Sequence, residues 1–109
     1  MLRIKPGVKL DGLAPQMVLA ANIVHHAYQE AGSRDCTITS GSDGAHMEGS
    51  LHYSGRALDF RMHGLAEVGV NTVALLANIQ VALGENFDCL LENRYGPREH
   101  IHVEWQPKG

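Results

Sequence analysis

Two short segments of this chain alternate between apolar and polar residues, and this pattern restricts the folds that are open to it. Residues 57–62 carry their large apolar side chains at the even positions, and residues 99–105 carry them at 101, 103 and 105. Alternation with a period of two is typical of a β-strand that buries one face and leaves the other open. The chain is therefore predicted to build a sheet that is covered on one side.

Two helices and two further strands complete the predicted fold. A helix that begins at Pro15 and stops at Gly32, and a second one from about Ala66 to Leu83, repeat their apolar residues at helical spacing. Residues 35–40 and 87–92 are rich in β-branched or other apolar side chains and are bounded by turn signals, so they are predicted to be strands. The order αββαββ favours an α+β fold, a small antiparallel sheet with the helices packed on one side.

Length and charge limit the classes of protein to which the chain can belong. Its 109 residues allow one domain, residues 1–109, in which the first 13 residues form an ordered arm with two turn signals. A net charge of −3 leaves no basic excess for nucleic acid or an anionic membrane. The longest apolar stretch, residues 68–83, is too polar to span a bilayer. No apolar run of a secretory signal follows Met1, so we expect synthesis in the cytoplasm.

Side chains that bind metals or move protons are concentrated in residues 50–59 and 99–104. Asp59 lies on the polar face of the first alternating segment, and His100 and His102 lie on that of the second. If the two strands are neighbours, these side chains converge on one patch. A catalytic zinc site needs three nitrogen or oxygen ligands, with an open position for water. It also needs a carboxylate outside the metal shell to accept a proton.

Isolated residues of these types carry little information. A single histidine on a surface is more often solvated than functional, and His25, His26 and His63 are assigned no role. The two cysteines, Cys36 and Cys89, lie beside apolar residues in predicted strands. We expect them to be buried, reduced and not metal ligands. Only the joint occurrence of several ligand types in a fixed order indicates a site.

Two motifs give that fixed order. The first is Ser-x-His-x-x-Gly-x-Ala-x-Asp at residues 50–59, and the second, some forty residues later, is Glu-x-x-His at residues 99–102. Together they resemble the zinc D-Ala-D-Ala metallopeptidase family. That family includes D-Ala-D-Ala carboxypeptidases and dipeptidases and the L-alanyl-D-glutamate endopeptidases that serve as phage endolysins. The resemblance implies the hedgehog/D-Ala-D-Ala peptidase fold.

Residue by residue, the resemblance implies one metal centre and one base. His52, Asp59 and His102 match the ligands that hold one zinc ion per chain, and Glu99 matches the general base. Strand alternation, however, places Glu104 and not Glu99 on the same face as His102. Glu99 is the preferred base, reaching the site from the start of the strand, and Glu104 is second.

Substrate contacts are predicted less directly. Ser50 matches a position that touches the substrate in some relatives. Many members of the family carry an arginine after the first strand, where this chain has no arginine in residues 40–43. Arg61, on the same strand face as Asp59, is the nearest substitute for that oxyanion or carboxylate contact. His46 is a loop residue that can line the cleft.

The resemblance implies a zinc peptidase that hydrolyses stem peptides of bacterial peptidoglycan, either as an endolysin-like endopeptidase or as a D-Ala-D-Ala carboxypeptidase. Its partner would be the peptide substrate, with no nucleic acid and no membrane. It would act on the cell wall after release or delivery from the cytoplasm. The alternative is a non-hydrolytic zinc-binding structural or binding module of a phage particle. A base at Glu99 favours the enzyme, because a structural metal site has no use for one.

Overall fold

A computed structural model describes residues 1–44, 46 and 49–108 and shows an α+β fold in which two helices accompany a five-stranded sheet. In chain order the elements are β1 (Leu2–Ile4), α1 (Pro15–Glu30), β2 (Cys36–Ser40), β3 (Ala57–Arg61), a short 3₁₀ turn (Ala66–Val68), α2 (Thr72–Leu83), β4 (Phe87–Glu92) and β5 (His100–Trp105). Neither helix has the length and apolar character that crossing a membrane requires.

The sheet is mixed, and the expectation of a purely antiparallel sheet was wrong at one edge. The strand order is β1-β2-β3-β5-β4, and all pairs are antiparallel except β1 with β2. The predicted arm begins as this edge strand, with Lys5 N donating to Ile38 O at 2.9 Å and Cys36 N donating to Met1 O at 3.0 Å. A strand of three residues is too short to show a period, so only its partner reveals it.

Both helices bury a stripe of apolar side chains in one core with the sheet. The even-numbered residues of β3 and the odd-numbered residues of β5 supply the sheet's share of that core, as the alternation predicted. The core includes Met17, Ala20, Val24 and Tyr28 from α1, Leu75 and Ile79 from α2, and Leu58, Phe60, Ile101 and Val103 from the sheet. The opposite, polar faces of β3 and β5 do not contribute to this core.

The second helix begins later than the sequence pattern indicated. The segment from residue 66 forms one 3₁₀ turn and then breaks at Gly69, which has a φ of 90°. Asn71 then starts α2 as its N-cap, accepting a hydrogen bond from Ala74 N at 3.0 Å. An asparagine at this position satisfies a backbone donor that the first turn of a helix leaves unpaired.

The N-terminal arm, residues 5–14, holds the connection between β2 and β3 in place. Ser42 N donates to Lys9 O at 2.9 Å, and Ala14 N donates to Gly55 O at 2.9 Å. Gly55 has a φ of 73°, and a Cβ atom there would lie 2.0 Å from the carbonyl oxygen of Gly12. The backbone of the arm therefore packs directly on the backbone of the connection.

We expect Gly55→Ala to destabilise the protein more than Gly7→Ala. Both glycines have a positive φ, which costs an alanine about 1–2 kcal/mol. Gly7 has open space where its Cβ would be, whereas Gly55 meets the backbone of the arm, which adds roughly 1–3 kcal/mol. Urea unfolding of the two variants measures the difference. Equal losses of unfolding free energy would show that the close approach contributes nothing.

Candidate metal centre

The register of β3 against β5 places an acid beside a histidine on the polar side of the sheet. Asp59 is the direct partner of His102, and the flanking pairs are Arg61 with His100 and Ala57 with Glu104. Because directly opposed residues of antiparallel strands share a face, Asp59 and His102 face each other across the strand pair. The Nδ1 atom of His102 lies 2.9 Å from Oδ1 of Asp59.

His52 reaches the same point from the connection that precedes β3. Its backbone N donates to Ser50 Oγ at 3.2 Å, and its carbonyl accepts from Gly55 N at 3.2 Å, so the tight turn fixes where the side chain starts. The imidazole is almost completely buried, and its Nε2 atom lies 3.3 Å from Oδ1 of Asp59. His52, Asp59 and His102 each present one ligand atom, and these atoms lie within 4.8 Å of one another. The structure thus brings together the three residues that the sequence predicted as ligands.

The tautomer of His52 shows that this group suits a cation. Nδ1 of His52 lies 2.9 Å from the carbonyl oxygen of Gly41, which can only accept, so Nδ1 carries a proton. In the neutral ring, Nε2 then presents a lone pair to the carboxylate oxygen of Asp59. Two lone pairs at this distance repel unless a proton or a metal ion lies between them. A backbone carbonyl that holds the far nitrogen of a histidine is a common outer partner in metal centres.

Glu104 orients the ring of His102, as the Gly41 carbonyl orients that of His52. Its Oε1 lies 2.7 Å from Nε2 of His102, and its Oε2 accepts a hydrogen bond from Gln106. A carboxylate on Nε2 orients the ring so that Nδ1 faces Asp59. Burial alone would lower the pKa of His102, but the hydrogen bonds with Asp59 and Glu104 raise that pKa to about 9.

Asp59 remains ionised despite being largely buried. Burial would raise its pKa, but the hydrogen bond from His102 lowers it, and so do His52 and His100 when their rings are protonated. Together they hold the pKa of this carboxyl well below its usual range. A carboxylate in that state is ready to bind a metal ion without first losing a proton.

The three candidate ligands line a cavity of about 630 Å³. Ser50 lines it, and so does His46, whose ring stacks on His52 with the centroids 4.0 Å apart. His46 is held there by Nε2, which lies 2.8 Å from Asp43 O and 3.1 Å from Ser40 Oγ. The cavity leaves room for a substrate beside the ligands.

Glu99 lies next to this cavity and not among the residues described as lining it. Its Oε2 accepts a hydrogen bond from Tyr95 N at 2.8 Å, in a turn where Tyr95 has a φ of 68°. Glu99 lines a neighbouring cavity of about 320 Å³ together with Arg61. The two cavities share Asp59 and His100, so the cavity that Glu99 lines adjoins the one that the candidate ligands line.

Two groups near the centre were not predicted from the sequence. Glu92 lies opposite His100 in the β4–β5 register, with its Oε1 3.0 Å from Nε2 of His100. The Gly41 carbonyl also has no signal in the sequence, because any residue could supply it. Correct pairing of β4 with β5 would have revealed Glu92.

The cysteines take no part in the centre. Cys36 and Cys89 are both buried and free, as expected. Burial raises the pKa of each thiol to about 12, so both remain protonated and are poor metal ligands.

Comparison with known proteins assigns no relative: no protein-family model matches the chain, and no curated protein matches it significantly. The assignment of the centre therefore depends on its own geometry.

We expect His52→Ala to abolish tight Zn²⁺ binding, while His26→Ala leaves it unchanged. His52 supplies one of three ligand atoms, so its loss should cost more than the roughly 10- to 100-fold that removing an outer partner costs. His26 is an exposed residue of α1 that pairs with Glu30, which makes it a control for histidine content. Titration of the metal-free proteins with Zn²⁺ measures the change. Unaltered affinity of His52→Ala would contradict the ligand assignment.

We also expect Zn²⁺ affinity to rise with pH. In the metal-free protein His102 has a pKa of about 9, so below that pH a proton must leave Nδ1 before a metal can bind. Between about pH 6.5 and 8.5 the affinity should increase up to tenfold per pH unit. Glu104→Gln removes one charge that raises the pKa of His102, so its affinity should level off at a lower pH. Calorimetry in buffers of different ionisation enthalpy would also detect the released proton. A Zn²⁺ affinity that does not change with pH would contradict the protonation of His102.

Proposed function

We propose that this chain is a zinc-dependent peptidase that hydrolyses stem peptides of bacterial peptidoglycan. One observation carries the proposal: two imidazole nitrogens and one carboxylate oxygen converge among the residues that line one cavity. Structural zinc sites are normally closed by four protein ligands, whereas catalytic sites hold the metal with three and keep one position open. Within the described residues the group at His52 has three.

The donor set favours zinc over calcium and magnesium. Two histidine nitrogens and one carboxylate are typical of catalytic zinc sites, whereas calcium and magnesium prefer oxygen ligands. A bound zinc ion would supply polarisation of the scissile carbonyl and acidification of a water molecule. His52, Asp59 and His102 would hold it, with the Gly41 carbonyl and Glu104 fixing the two rings.

The carboxylates divide between orienting and proton-accepting roles. Both oxygens of Glu104 are engaged, one with His102 and one with Gln106, so Glu104 is suited to orienting its histidine. Glu99 uses only Oε2, for Tyr95 N, and among the described residues its Oε1 has no partner. Glu99 is therefore the group that would accept a proton from the attacking water at Oε1 and deliver it to the leaving amine.

The substrate class is supported by the motif resemblance and by the shape of the site. Ser50 lines the metal cavity, and Arg61 lines the adjacent one with Glu99. An exposed arginine beside the cleft can pair with a carboxylate of the peptide. An open cavity of this kind suits a peptide that is part of a polymer better than a free dipeptide, which favours endopeptidase over dipeptidase action.

The second candidate function is a zinc-binding module that does not hydrolyse peptides and serves as a structural or binding part of a phage particle. It is favoured by the position of Glu99, whose carboxylate caps a turn and does not line the metal cavity. If the carboxylate stays outside the metal cavity when substrate is bound, its Oε1 would not reach a water molecule there.

We expect Glu99→Gln to retain zinc and to lose hydrolysis by roughly two to four powers of ten, the usual worth of a positioned base. Glu104→Gln is the matched control, because glutamine can still accept a hydrogen bond from His102 and should lose far less activity at saturating zinc. Peptidoglycan is digested with each protein, and mass spectrometry identifies the new termini.

Two outcomes of that experiment contradict the proposal in different ways. A larger loss in Glu104→Gln, with Glu99→Gln still active, would transfer the base to Glu104. A fully zinc-loaded wild type that releases no new termini from peptidoglycan would favour the non-hydrolytic module.

A further inference from the structure

The two carboxylate oxygens of Asp59 face two different sets of side chains. Oδ1 lies near His52 and His102, the set described above. Oδ2 lies 3.7 Å from Nε2 of His100, which belongs to no part of the three-ligand centre. Both sets line the same cavity, so Asp59 forms a shared wall between them.

His100 is held in the same manner as His52. Its Nδ1 atom lies 2.7 Å from the carbonyl oxygen of Arg98, which can only accept, so Nδ1 carries the proton. In the neutral ring, Nε2 then presents a lone pair to Asp59 Oδ2. The backbone thus presets His100 as a ligand, as the Gly41 carbonyl presets His52.

Glu92 adds a third ligand atom from the edge strand. It lies opposite His100 in the β4–β5 register, and its Oε1 lies 3.0 Å from Nε2 of His100 and 3.9 Å from Nδ1 of His102. Asp59, Glu92 and His100 form a second group whose ligand atoms lie within 4.8 Å of one another. Two carboxylates and one imidazole meet there, in a partly exposed position that an ion can reach from solvent.

We propose that this chain binds a second divalent metal ion, held by Asp59, Glu92 and His100, with Asp59 bridging the two ions through its two oxygens. A shared carboxylate is a recurrent feature of two-metal hydrolytic sites, whose ions lie about 3.5–4 Å apart. The second site has one nitrogen and two oxygen ligands, so it should accept Zn²⁺ or Mn²⁺ and should be weaker than the first, which has two nitrogens. The inference depends on the first metal site and not on peptidase activity.

Metal stoichiometry tests the proposal directly. Metal-free wild type is titrated with Zn²⁺ by calorimetry, and the metal retained is measured by elemental analysis. We expect two ions per chain in the wild type and one in Glu92→Gln. Asp88→Asn is the matched control, because Asp88 lies on the same strand as Glu92, does not line the metal cavity and pairs with Lys108. It should keep two. Saturation of the wild type at one ion, or two ions in Glu92→Gln, would overturn the assignment.

A second measurement needs no variant and reports the bridge itself. The wild type is loaded with one and then two equivalents of Co²⁺, and electron paramagnetic resonance is recorded. Ions bridged by Asp59 should couple, so the signal per ion should fall at the second equivalent. A signal that simply doubles would show two unconnected sites and would overturn the bridging role. If the protein binds two ions but does not hydrolyse peptidoglycan, only the proposed peptidase function is contradicted. If it hydrolyses peptidoglycan but binds one ion, only the second metal site is contradicted.

Discussion

The antiparallel pairing of β3 with β5 fixes the core and the candidate metal centre at once. In this register Leu58 lies opposite Val103 and Asp59 lies opposite His102. The first pair is buried under the helices, and the second faces the cavity. Because side chains alternate along a strand, a slip of one residue would turn the apolar pair outwards and bury the polar pair. The burial of the core therefore selects the register that brings the candidate ligands together.

Burial of ionisable groups on the other face requires that their charges be matched. Asp59 is largely buried, and an isolated carboxylate in that position would be protonated. The surrounding imidazoles prevent this, and backbone carbonyls set the orientation of His52 and His100. A buried polar cluster destabilises the fold when some of its groups lack a hydrogen-bond or charge partner. Protons can satisfy it below the pKa of His102, and a metal ion could satisfy it above that pKa.

The sequence predicted those strands and helices that are long enough to show a repeating pattern of apolar residues. It also predicted the site residues that lie in a recognisable motif. The strands at 57–61 and 100–105 follow from alternation, and the group of His52, Asp59 and His102 is what the motif resemblance implies. Three features could not be predicted because their signal lies in another part of the chain. β1 is defined by its partner β2, Glu92 by its register against β5, and the Gly41 carbonyl by backbone position alone.

His52 differs from the other two ligands because it lies outside the sheet. Its position depends on the turn before β3, which is held by the N-terminal arm through Gly55. A metal bound at His52, Asp59 and His102 would therefore link this connection to the sheet. Any ligand that binds only the native state stabilises it by mass action. Metal binding should consequently stabilise the arm and the connection as well as the centre, although neither the arm nor β1 supplies a ligand.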